Sequence, residues 1–332
     1  MKKQLKKAVT FGLKKVCLHC VPPQHDKMLS YAQAEQILRR HSPAPGASCP
    51  ADDRQTASEY DLSILVPVFP EKADLSRCLN SVIAQKTDFR WEVILVNPGT
   101  AIAEQYRGRE NFRVISNLNR GFREVRGKYV MFLDADGFLG ENAMQSLLKA
   151  AVSRNADLVQ GGCDPAQEQK LIWGKVFRTQ LWQYVCFPEG YWFEDTLITS
   201  LLTQLASNVV TISEEVSCGR KQDRGISGTD GAKPGSIDTF YVLRSVLEAR
   251  RTLGLPTDSA FYEDLMGLMI QCMQRTRREP RQVQKSIFTL FQVLLQQERC
   301  RADVHLRKQY DQLENLLIRG DYRKFRLMCA LW

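Results

Sequence analysis

The sequence predicts an α/β fold: a mainly parallel sheet flanked by helices, followed by a helical C-terminal region. Three observations carry that prediction. Short unbroken apolar runs rich in β-branched residues, such as LSILVPVF (62–69) and WEVILV (91–96), read as strands buried on both faces. Stretches with helical spacing lie between these runs, which is the alternation of βαβ units. From about Ser236 onward the strand signals stop and long helical patterns follow one another.

Taken in order, residues 1–24 read as a basic amphipathic helix ending at Pro22-Pro23. Residues 26–40 form a second helix, capped by Asp26, with Met28, Leu29, Ala32, Ile37 and Leu38 at roughly helical spacing. HSPAPGASCPADDRQTASEY (41–60) is a linker rich in Pro, Ser, Ala and Asp. LSILVPVF opens the sheet. Asp74 caps a helix containing Leu75, Cys78, Leu79, Val82 and Ile83. WEVILV is the next strand, ended by the turn Asn97-Pro98-Gly99; FRVIS (112–116) is a third. A short helix near 119–126 precedes KYVMFLD (128–134), the fourth strand. Glu141 to Val152 is a helix and ADLVQ (156–160) a strand; LIWGKVF (171–177) is extended and runs into a helix near 178–184. Glu194 opens a helix through about Leu205, and NVVTI (208–212) is a further strand. Helices over 239–253, 259–276, 281–297 and 303–318 complete the chain. The domain reading is therefore a basic N-terminal extension and linker (1–58), an α/β domain (59–232) and a helical region (233–332).

The net charge is +9 over 332 residues, which points to polyanionic partners: nucleic acid, anionic lipid or phosphorylated substrates. Lys2, Lys3, Lys6, Lys7, Lys14 and Lys15 gather near the start; Arg275, Arg277, Arg278 and Arg281 form a basic patch near the other end. No recognisable nucleic-acid motif accompanies them. No apolar run reaches the ~18–20 residues that span a bilayer. The start lacks the apolar core of a secretory signal, so the ten scattered cysteines read as reduced thiols in a cytoplasm. Cys17 and Cys20 form a CxxC pair without the second pair that a zinc signature needs.

In a parallel sheet, ligands bind beyond the carboxyl ends of the strands. Pro67, Asn97 and Asp134 all fall at such ends. Asp134-Ala135-Asp136 places two carboxylates one residue apart just past a buried strand, a pattern suited to a divalent cation with substrate phosphates. A second acidic pair, Glu194-Asp195, follows the aromatic run Tyr191-Trp192-Phe193; it fits either a helix N-terminus or a working acid, and the aromatic run fits either core packing or a sugar-stacking wall.

These residues carry a resemblance. LSILVPVFPEKADLSRCLNSVIAQKTDFRWEVILVNPGT, RGKYVMFLDAD, WGKVFRTQLW, FPEGYWFEDT and GRKQDRGIS occur in the order found in glycosyltransferase family 2, and the match covers roughly residues 61–228. The resemblance is to bacterial members that build cell-surface glycans. It implies the GT-A fold, with a Rossmann-like sheet, and a metal-dependent, inverting transfer of a sugar from a nucleotide-sugar donor to a glycan or lipid-linked acceptor. In that reading Asp134 and Asp136 hold Mn²⁺ or Mg²⁺, with Asp136 favoured as the direct ligand. Asp195 is the catalytic base, with Glu194 the alternative. Arg220 meets the diphosphate, and Pro67, Phe69, Glu71 and Asn97 receive the base and ribose. The acceptor's nature makes an anionic membrane surface, contacted by the basic N-terminal stretch on the inner face, an expected partner.

The chain departs from the family on the nucleoside side. Asn97-Pro98-Gly99-Thr100 stands where the family has an acidic turn, and Phe69-Pro70 where it has an aromatic-Asn pair. NLNRGFREVRG (117–127) shortens the loop before the metal-site strand. The alternative reading is a scaffold of the same fold with a degenerate donor site.

Overall fold

A computed structural model of the chain describes residues 22, 29–41, 59–68, 75–96, 105–106, 108–115, 118–162, 174–184, 191, 201–218, 235–299 and 304–332. They fall into two compact units, one drawn from Gly46–Gly190 and Glu194–Arg224, the other from Met1–Pro45, Tyr191–Phe193 and Gly225–Trp332.

The first unit is built on a seven-stranded sheet. Its strands are β1 (Tyr60–Pro67), β2 (Trp91–Val96), β3 (Phe112–Ile115), β4 (Gly127–Phe132), β6 (Leu158–Gly162), β7 (Lys175–Arg178) and β8 (Val209–Glu215). The short strands β5 (Phe138–Leu139) and β9 (Ser217–Cys218) form a separate antiparallel ribbon. The large sheet has the order β3-β2-β1-β4-β7-β6-β8. Every pairing is parallel except those of β7, which runs antiparallel to both β4 and β6.

Strand alternation divides the core into two layers. Ile64 and Val66 of β1, Val93 and Leu95 of β2, and Tyr129 and Met131 of β4 join one cluster with Leu75, Leu79 and Val82 of helix α2 (Leu75–Ile83) and Leu147, Leu148 and Ala151 of helix α4 (Ala143–Ser153). On the opposite face lies helix α3 (Leu118–Arg123). A Cβ on its Gly121 would sit 3.2 Å from Leu65 and 3.3 Å from Val96, so the helix rests directly on the sheet. Phe122 stacks on Trp182 at 4.5 Å, and Phe132 and Phe177 close around the same indole. Helix α4 begins at Ala143 rather than Glu141 because Asn142 has φ 58°, a left-handed conformation that a continuing helix excludes. The segment expected to be helical near 178–184 is a 3-10 helix, Thr179–Tyr184.

At the amino end of the central strands lies a buried polar network. Glu92 of β2 is 1% exposed. Its carboxylate accepts from Ser63 Oγ, from the Arg126 backbone N–H (2.9 Å) and from Arg113 Nη2 (2.7 Å) and Nε (3.1 Å). Ser63 Oγ in turn accepts from the Gly127 N–H at 2.8 Å. Gly127 has no room for a side chain: a Cβ there would lie 2.4 Å from the Ser63 nitrogen.

The second unit contains helices α1 (Tyr31–His41), α5 (Asp238–Thr252), α6 (Ser259–Arg275), α7 (Arg281–Arg299), α8 (Lys308–Ile318) and α9 (Tyr322–Ala330). Helix α1 packs along α7, and Glu35 links it to Arg244 of α5 at 2.8 Å. Buried acids hold the bundle: Glu298 binds Arg251 at 2.6 Å, and Glu314 accepts from the Tyr262 hydroxyl at 2.6 Å. That bond and burial both push the Tyr262 phenol well above its usual pKa, burial being the larger cause. No helix among the described residues is long and apolar enough to cross a membrane.

Candidate active site

The chain runs from β1 outward through β2 and β3, then returns to place β4 on the other side of β1. The switch in direction falls between β1 and β4, which is where an open parallel sheet leaves a crevice at its carboxyl edge. Three strand ends meet there. Pro67 of β1 lies opposite Val96 of β2 in the parallel register, and the Val68 N–H donates to the Val96 carbonyl at 2.9 Å. Leu65 lies opposite Phe132 of β4, and the Leu133 N–H extends that ladder to the Leu65 carbonyl at 3.0 Å.

Asp134 and Asp136 follow at once. Leu133 (1% exposed) and Ala135 (2% exposed) both insert into the core, while the two aspartates between and after them remain partly exposed. Burial thus alternates from Leu133 to Asp136, with the two aspartates at the partly exposed positions. A tight turn follows, closed by the Gly137 N–H donating to the Asp134 carbonyl at 2.9 Å.

The donor set suits a hard divalent cation, since carboxylate oxygens are the ligands that Mg²⁺ and Mn²⁺ prefer. Two carboxylates are part of a coordination shell, and among the described residues no group of three or more His, Cys, Asp or Glu side chains gathers to complete one.

The β5–β9 ribbon was not legible in the sequence, and it matters to this site. Phe138, two residues beyond Asp136, pairs with Cys218, and the Gly140 N–H donates to the Val216 carbonyl at 3.1 Å. It brings the segment just ahead of Arg220 beside the aspartate turn. Helix α2 fixes the ribbon: Ser81 Oγ accepts from the Leu139 N–H at 3.0 Å and Gln85 donates to the Gly140 carbonyl at 2.8 Å. Arg77, also on α2, lays its guanidinium 3.9 Å over the Phe138 ring. Its place as the third residue of the helix, with no motif around it, carried no signal in the sequence.

Of the other sequence-predicted residues, Phe69, Glu71, Asn97, Glu194, Asp195 and Arg220 lie outside the described residues, as do Cys17, Cys20 and the basic N-terminal stretch. Tyr191 is described. It is 9% exposed and stacks on Tyr241 of α5 at 5.1 Å, so this ring of the aromatic run is core packing rather than a sugar wall. Burial pushes its phenol up to about 12. Arg275 also departs from expectation. It is 7% exposed and donates to Thr239 Oγ1 at 2.6 Å, so it does not belong to the exposed basic patch.

Residues 63–206 match the family model described as glycosyl transferase family 2. Among curated proteins, the chain is 22% identical over 218 residues to the glycosyltransferase GlyA of Streptococcus pneumoniae, covering 50% of this chain and 31% of that protein. It is 34% identical over 116 residues to the uncharacterized glycosyltransferase EpsJ of Bacillus subtilis, covering 31% and 33%. It is 26% identical over 118 residues to the poly(ribitol-phosphate) β-N-acetylglucosaminyltransferase TarP of Staphylococcus aureus, covering 30% and 36%. The chain spans about a third of the length of these relatives. Among solved structures, residues 1–349 of S. aureus TarS in complex with UDP-GlcNAc superpose with a TM-score of 0.62 at 18% identity, covering 81% of this chain and 90% of that one. That likeness is one of fold, and the fold is GT-A.

Proposed function

We propose that the glycosyltransferase family 2 domain formed by residues 63–206 transfers a sugar from a nucleotide-sugar donor to a glycan or lipid-linked acceptor of a cell-surface polysaccharide. The observation that supports this reading is that Asp134 and Asp136, both partly exposed, follow β4 at the topological switch of a parallel sheet, with the alanine between them buried. Asp134 and Asp136 would hold Mn²⁺ or Mg²⁺ together with the donor's phosphates, Asp136 as the direct ligand. A bound cation offsets the negative charge that develops on the leaving nucleoside diphosphate.

The remaining roles rest on this chain's own groups. Pro67, Phe69, Glu71 and Asn97 receive the nucleoside; Asn97 can hydrogen-bond a base edge without adding charge. Arg220 meets the diphosphate, and the β5–β9 pairing supports that assignment by bringing residue 218 next to the aspartate turn. Asp195, or Glu194 in its place, takes the proton from an acceptor hydroxyl. The freed oxygen bonds to the anomeric carbon as the bond to the diphosphate breaks, and the configuration inverts. Only one of the two acids serves, because adjacent residues in a helix point about 100° apart. A phosphate-bearing acceptor agrees with the net charge of +9. The domain would work on the cytoplasmic side, peripheral to the inner face of the membrane.

The departures at Asn97-Pro98 and Phe69-Pro70 favour one second reading, a binding scaffold without turnover. Calorimetric titration with UDP, GDP, CDP and dTDP, with and without Mn²⁺, separates the two. Tight binding of one nucleotide that needs both Mn²⁺ and Asp136 is the expected result. Asp136→Ala should weaken binding and slow transfer by on the order of 100-fold. Absence of metal-dependent binding to all four, in a folded protein, would establish the scaffold.

A further inference from the structure

The chemistry above leaves one strongly basic end of the helical unit unused. Gln284, in the first turn of α7 and 6% exposed, ties that end together. Its Nε2 donates to the carbonyls of Arg277 (3.2 Å) and Glu279 (2.8 Å), and its Oε1 accepts from the Tyr322 hydroxyl (3.1 Å). Gln274, near the end of α6, donates to the Cys329 carbonyl at 2.8 Å. The α6–α7 turn, the start of α7 and the whole of α9 therefore meet. Helix α9 buries Tyr322, Phe325, Met328 and Cys329, which turns Arg323 and Arg326 outward. Arg277, Arg278 and Arg281 are exposed on the adjoining turn, and Lys285 is partly exposed on the next turn of α7.

The acids at this end are already engaged. Glu279 accepts from Ser236 Oγ and pairs with His41 at 2.8 Å. Asp321 caps α9 by accepting from the Lys324 N–H at 3.1 Å and is 8% exposed. The outward charge is thus positive.

We propose that this end of the helical unit is a docking surface for an anionic lipid membrane. Charge complementarity is the first reason, each basic residue near such a surface adding to the attraction. The second is Ile318, 63% exposed at the end of α8 beside exposed Arg319, which offers an apolar side chain to the interface. The third is what sits among the arginines. The aromatic rings in this region, Phe288, Tyr322 and Phe325, are buried, whereas a single-stranded nucleic acid would use exposed rings for stacking.

The test is sedimentation of the full chain with phosphatidylcholine vesicles, with and without phosphatidylglycerol. The protein should partition onto the anionic vesicles only and leave them at high salt. The triple variant Arg278→Glu, Arg323→Glu, Arg326→Glu should lose that partition by ~10-fold or more. Thermal melting checks its fold, and the same three positions changed to Gln serve if charge reversal unfolds it. Donor hydrolysis in solution should be unchanged in the variant, so a failure here is distinguishable from a failure of the transferase reading. Two results would overturn the inference: a folded triple variant that sediments like its parent, or a parent that ignores anionic vesicles while binding heparin.

Discussion

Replacing Glu92 by Gln probes whether the ends of the central strands depend on one buried charge. The substitution keeps the shape of the side chain and removes one acceptor. Oε1 serves Ser63 Oγ and the Arg126 N–H; Oε2 serves Arg113 Nη2 and Nε. An amide must turn its NH₂ toward one of these two donor sets. Facing Arg113, it removes two charge-assisted bonds from a guanidinium that is only 19% exposed. Facing Ser63, it sets its own N–H groups against the Arg126 N–H, which loses its acceptor. Either way the expected loss is about 3 kcal/mol, since breaking a buried ion pair from one side typically costs ~3–5 kcal/mol. In urea this should lower the midpoint by roughly 1 M or more with the slope unchanged. The double variant with Arg113→Met should cost less than the sum of the two single changes, because the second removes the charge whose buried partner the first takes away, leaving it only Glu124 at 3.3 Å. Nucleotide binding at a permissive temperature should survive, as the network lies at the amino end of the sheet and the aspartates at the carboxyl end. A midpoint within error of the parent, or strict additivity with Arg113→Met, would refute the account.

Two other outcomes follow from the same sheet. Gly127→Ala drives a Cβ to 2.4 Å from the Ser63 nitrogen and 2.7 Å from the Leu62 carbonyl carbon, both backbone atoms that cannot yield, and should cost about 3 kcal/mol in denaturant unfolding. Asp157 accepts from Arg178 Nε (2.9 Å) and from the N–H groups of Ser207 (3.0 Å) and Asn208 (3.1 Å). Burial pushes its carboxyl up, but these donors outweigh it and hold the pKa below the usual value. A depressed carboxylate contributes fully above its unfolded pKa of about 3.9 and loses that contribution as pH falls through the folded value. Asp157→Asn should therefore melt below the parent at neutral pH, and the gap should close as the pH drops below about 4.

The strands and the aspartate pair could be read from the sequence because their signals are local. LSILVPVF, WEVILV and KYVMFLD announce themselves by apolar run and length, and β1, β2 and β4 stand where those runs are. The order in which they pair is only partly local. Short βα connections favour parallel neighbours, but the antiparallel placement of β7 between β4 and β6 depends on contacts that no window of sequence contains. The β5–β9 ribbon is the plainest case. Two residues cannot show a period, so Phe138 and Cys218 meet only because α2 and Val216 hold their segments together.

Side-chain fate divides in the same way. Composition and spacing alone determined that the apolar runs beginning at Leu62, Trp91 and Lys128 form strands and that Asp134 and Asp136 follow the last of these three. Tertiary structure alone decided that Arg275 turns inward to Thr239 while Arg278 stays exposed, and that Tyr191 packs on Tyr241. Charge and aromaticity state what a residue can do; burial depends on which distant surface arrives opposite it, and that surface belongs to another part of the chain.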